Sequence, residues 1–82
     1  MQFNTPEEVR EWAMRVAEYD YKRHIEQGTD LNPFYTPGAR NDWQRGFENK
    51  GPEKWSGITG DFDTIYQRGR AAAEIVAREN AK

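Results

Sequence analysis

Leu31-Asn32-Pro33-Phe34-Tyr35-Thr36-Pro37-Gly38-Ala39-Arg40-Asn41-Asp42-Trp43-Gln44-Arg45-Gly46-Phe47 reads as a stiff aromatic loop running straight into a helix. Pro33 pushes Asn32 out of the helical region, and Pro37 can open a helix because its missing N–H would have been unpaired there anyway. Thr36 is then the natural N-cap, its hydroxyl accepting from a free backbone N–H. Trp43 and Phe47 sit one turn apart on one face, with Gly46 between them. A glycine inside a helix costs about 1 kcal/mol relative to alanine. Its presence implies a second backbone passing close by, and the spacing predicts a buried Trp43.

At 82 residues the chain is one small domain, near the lower limit for a self-sufficient core. It has no cysteine, which excludes disulfides, thiolate metal sites and a cysteine nucleophile. Leu31 is the single leucine, so packing falls to three tryptophans, four tyrosines and four phenylalanines. The 12 basic and 14 acidic residues are well mixed and leave a net charge of −2. Strong sequence-independent nucleic-acid binding usually shows as a basic domain or stripe, and none is present. No apolar run approaches a membrane span and the N-terminus lacks a signal peptide's order, so a cytoplasmic protein without membrane contact is expected.

Outward from the opening stretch, Thr5-Pro6-Glu7-Glu8 is a helix start with Thr5 as N-cap and Glu8 completing a capping box. That helix is predicted from about 6 to 27, stopping at Gly28. Val9, Trp12, Ala13, Val16 and Ala17 share its apolar side, with Glu11, Arg15, Glu18 and Lys22 opposite. The second helix is predicted over 37–50, ended by Gly51-Pro52. Trp55 and Ile58 are expected to dock the segment that follows. A third helix, about 62–79, is capped by Asp61 or Asp63 and carries a stripe of Phe62, Ile65, Tyr66, Gly69, Ala72, Ala73 and Val76. The expected fold is all-α: an antiparallel helix pair joined by a Pro/aromatic loop, plus a C-terminal helix.

Asp20 and His24 fall on the apolar side of the first helix, one turn apart. One reading makes them a buried polar pair, with Asp20 accepting from the loop after Gly28 or from an aromatic N–H or O–H. The other makes them a general acid/base or ligand pair in a small enzyme. No third group, nucleophile or further metal ligand stands at a telling spacing, so neither a metal nor a cofactor is implied. A weak echo joins Trp43-Gln44-Arg45-Gly46 to Tyr66-Gln67-Arg68-Gly69. Either each helix crosses a neighbour at its glycine, or the two Gln-Arg pairs form one polar surface.

Tyr21 to Phe47 resembles the ribosome modulation factor family of small bacterial proteins. The resemblance rests on a helix ending at Gly28, on Asn32-Pro33-Phe34 where the family has Asn/Cys-Pro-Tyr, and on Trp43-Gln44-Arg45-Gly46-Phe47 as a Trp-x-x-Gly-aromatic helix. It covers about a third of the chain and implies an antiparallel helix pair with the loop folded over the joint. It also implies a ribosomal-RNA-binding hibernation factor, with Lys22, Arg23, Arg40 and Arg45 on phosphates and Tyr35 stacked on a base. The chain departs from the family in its slightly acidic balance, its longer first helix and its appended third helix. Aromatics and arginines are also the residues that anchor protein interfaces. The leading expectation is therefore a non-enzymatic regulatory protein, for example a phage-type accessory, docking on a cellular protein or ribonucleoprotein through Lys22, Arg23, Tyr35, Arg40, Arg45 and Arg68.

Overall fold

A computed structural model describes residues 3–51 and 60–81 and contains three α-helices: α1 (Pro6–Gln27), α2 (Pro37–Phe47) and α3 (Thr64–Asn80), the last preceded by a 3-10 turn at Gly60–Phe62. The expected docking of Trp55 and Ile58 lies outside the described residues. Thr5 caps α1, its hydroxyl accepting from the Glu8 N–H and donating to the Glu8 carboxylate. Gly28 ends α1 with a left-handed φ of 69°, its N–H donating to the His24 carbonyl.

Helix α2 departs from expectation at both ends. Thr36 occupies the N-cap position in extended geometry, yet its side chain makes no capping bond. At the other end α2 stops at Phe47, three residues short of 50, because Asn49 takes the left-handed conformation at φ 61°. Asn49 N–H donates to Gly46 O and Lys50 N–H to Arg45 O. That pair of bonds is a Schellman closure with asparagine in the place glycine usually fills. Asp63 is the N-cap of α3, accepting from the Tyr66 N–H at 3.0 Å. Phe62 therefore sits in the preceding turn and is exposed instead of joining the buried stripe.

The tight helix pair is α2 with α3, and α3 also packs against α1; no Cα of α1 lies within 8 Å of one in α2. The two helices joined by the loop are thus bridged by α3 and by side chains. Gly46 and Gly69 explain this choice. A Cβ on Gly46 would lie 2.1 Å from the Tyr66 carbonyl oxygen, and one on Gly69 would lie 2.0 Å from that of Trp43. Each copy of the aromatic-Gln-Arg-Gly echo presents its glycine to the other copy's aromatic backbone, so the helices cross reciprocally at a distance only glycine permits.

Trp43 is buried, stacked on Phe47 with ring centroids 5.1 Å apart, and joins Ala13, Ala17, Ala71, Ala72 and Ile75 in the core. Trp12, Met14, Tyr21, Leu31, Phe34, Phe47 and Ile65 pack around it. Gln67, Ala71 and Ile75 are buried while Ala73 and Val76 are only half-buried. A helix covered on two sides hides a wider arc than one apolar stripe.

Candidate functional site

The Gly28–Thr36 loop is built by three polar side chains. Asn32, buried, donates through Nδ2 to the Arg40 carbonyl and accepts at Oδ1 from the Phe34 N–H, while its own N–H donates to Asp30 Oδ1. Arg40 closes the ring, donating from Nη1 to the Phe34 carbonyl and from Nη2 to Asp30 Oδ2, both at 2.8 Å. The Arg40 hydrogen bond, followed by that from the Asn32 N–H, holds the Asp30 carboxyl below its usual range. His24 points its Nδ1 at the Thr29 carbonyl, beside the cap. Out of this pinned loop stands Tyr35, 94% exposed.

Beneath the loop lies a deeply buried charge cluster. Asp20 is completely buried, and Arg68 from α3 donates to it through Nε and Nη2, both at 2.7 Å. This bidentate fork uses both carboxylate oxygens in the strongest neutralising geometry available to a carboxylate. The Arg68 guanidinium also lies over the Phe34 ring, 5.2 Å from its centroid, so α1, α3 and the loop converge on one group. Arg23 approaches the same carboxylate with Nη2 at 3.9 Å, too far for a hydrogen bond, and faces the Tyr19 ring at 6.0 Å.

Asp20 and His24 accordingly do not form a pair. Asp20 is bonded to an arginine 48 residues on, not to the loop or an aromatic group, and His24 serves the helix end. The other residues expected to bind scatter. Arg40 is consumed by the loop, and Arg45 donates from Nε to the Gly51 carbonyl at 2.7 Å. Lys22 and Tyr35 are exposed, and Arg23 is half-buried. The two Gln-Arg pairs share no surface: Gln67 is buried, whereas Gln44 is exposed and donates to Glu48.

Sequence reasoning missed three buried polar residues, Asn32, Asp42 and Gln67. Asn32 precedes a proline, where an Asx turn is common, Asp42 shares the helical face of Ala39, Trp43 and Gly46, and Gln67 shares that of Ala71 and Ile75, so each carried a signal. The Asp20–Arg68 pairing carried none, because no local spacing links the two. Elsewhere, an open groove of about 310 Å³ runs between the three helices, lined in part by Arg10, Met14, Phe47, Gln67, Arg70 and Glu74. Among the described residues no group of three His, Asp or Glu is gathered as a metal would require, and no helix is long and apolar enough to cross a membrane. In comparisons with known proteins, no family model, curated protein or solved structure matches this chain.

Proposed function

We propose that this chain is a small non-enzymatic binding module of the cytoplasm that docks on a protein partner, with Tyr35 as its leading anchor. The observation that carries this reading is the exposure of Tyr35 on a loop whose backbone is tied by Asn32, Asp30 and Arg40. A large amphipathic ring on a fixed support loses little entropy on docking, and such residues are typical interface hot spots. An RNA-binding reading would need free cations along a track. Arg40, Arg45 and Arg68, three of the arginines expected to bind, are instead donating to acceptors within the fold.

A ribosomal-RNA partner, as the ribosome modulation factor resemblance of residues 21–47 implies, is the second reading. The exposed Tyr35 favours it too, since a free ring can stack on a base. The two are separated by placing a photo-crosslinking benzophenone side chain at position 35 in cells, with position 7 as a control. The expected result is a discrete adduct at 35 only, destroyed by protease, resistant to nuclease and suppressed by excess unlabelled protein but not by its Tyr35→Ala variant. Nuclease-sensitive adducts, or none, overturn the proposal.

A further inference from the structure

We propose that Arg23 is the docking point for a carboxylate, so that the partner presents an acidic segment to the face carrying Tyr19, Lys22 and Arg23; this rests on the protein-partner reading above. Two guanidiniums attend one buried carboxylate, and they are not equivalent. Arg68 takes both oxygens of Asp20 at 2.7 Å, which completes that ion pair. Arg23, one turn along from Asp20, is left at 3.9 Å. Its Nε is buried, and among the described residues it has no hydrogen-bond partner. A donor removed from water without an acceptor is costly, and a charged one more so. Asp20 thus answers the charge of Arg23 only across a 3.9 Å ion pair, without a hydrogen bond, which makes it the more weakly held of the two guanidiniums.

The side chain is 29% exposed, so an incoming group can reach it without the core opening. The Tyr19 ring lies 6.0 Å from its guanidinium carbon and, with Nε buried, any incoming acceptor meets the terminal Nη groups. Lys22, exposed on the adjoining position, adds a second cation, against which Glu26 is the exposed acid one turn on. Lys22 and Arg23 are the two cations of this face, within a chain whose net charge is −2. Long-range attraction for polyanions is consequently weak, while the local complement to one carboxylate is good. A nucleic-acid backbone would need a continued row of cations, and the exposed Glu26 interrupts it.

The direct test is fluorescence polarisation of a labelled polyglutamate peptide with the whole protein at low salt, an oligouridylate of equal charge serving as the competing class. The wild type is expected to bind polyglutamate, Arg23→Ala to bind about tenfold more weakly, and Arg23→Lys to fall between, since it keeps the charge and loses the fork. Arg23→Gln, which keeps the packed stem, must show the same loss with an unchanged circular dichroism spectrum. Absence of polyglutamate binding, equal binding by wild type and Arg23→Gln, or oligouridylate binding with the same Arg23 dependence each overturns the assignment. Repeating the position-35 crosslink in the Arg23→Gln background separates the two claims. Protein adducts that persist there leave the partner reading standing and remove Arg23 from it, whereas no protein adduct in the wild-type background removes the partner reading itself.

Discussion

Gly46 and Gly69 do opposite things to this protein depending on whether the helix or the crossing is considered. In an exposed helix, alanine in place of glycine stabilises by about 1 kcal/mol. Here the added methyl would lie 2.1 Å or 2.0 Å from a carbonyl oxygen of the facing backbone, which no rotamer can relieve. Gly46→Ala and Gly69→Ala should each lower stability by about 1–3 kcal/mol or more, as overpacking does; a urea titration showing either variant as stable as wild type would place the crossing elsewhere. The close approach at Gly46 was legible from sequence, because a glycine amid good helix formers weakens its own helix unless a neighbour needs the space. Asp20 was legible as buried but not as paired. Replacing it with asparagine leaves the Arg68 fork facing a neutral amide, and breaking a buried pair from one side costs about 3–5 kcal/mol. Because Arg68 keeps a 20% exposed side chain, the lower end of that range is expected. The double variant Asp20→Leu/Arg68→Met should recover most of the loss, and a double variant no better than the singles would show that the charges are not the issue.

At the scale of elements, the loop between α1 and α2 is an electrostatic construction whose acid limit can be stated. The Asp30 carboxyl is held below its ordinary value, chiefly by the Arg40 guanidinium and then by the Asn32 N–H. A depressed folded value means that the native state prefers the ionised form. The contribution is complete above the ordinary carboxylate range and is lost as pH falls below about 4, through the depressed value. The stability gap between wild type and Asp30→Asn should therefore close on acidification from about pH 5 towards about pH 2.5, measured by urea unfolding at each pH. A gap constant over that range would mean that the pair contributes nothing through charge. Asn32→Ala has no such pH dependence and should act at all values, since it strands the Phe34 N–H and the Arg40 carbonyl in a part-buried turn. The boundaries of α1 were legible because Thr5, Pro6 and Gly28 follow the commonest cap chemistry. The end of α2 was not, because Asn49 does a glycine's work two residues before Gly51, the glycine at which the helix was expected to stop.

For the molecule as a whole, the sequence pointed to three helices correctly but not to which of them is central. Local pattern favours neighbours in the chain, which makes α1 and α2 the expected pair and α3 an appendage. The long-range contacts reverse this: α3 lies against both of the others, carries Ile75, Ala71 and Ala72 into the core, and supplies Arg68 to Asp20 and the Tyr66 hydroxyl to the Lys50 carbonyl at 2.6 Å. A chain stopped after Asp63 would expose Ala13, Ala17 and Trp43 and leave the Asp20 carboxylate without its guanidinium. The 11-residue α2 is too short to be stable alone in water, the longer α1 draws most of its stability from packing, and no Cα of one comes within 8 Å of the other. The shortened chain should therefore lose most of its helical circular dichroism and its cooperative melt. Adding the Thr64–Asn80 peptide in trans should restore both, and an Arg68→Met version of that peptide should restore less. A shortened chain that melts cooperatively at the wild-type temperature would show that α1, α2 and their loop are a fold in themselves, and that α3 is carried by them and does not hold them together.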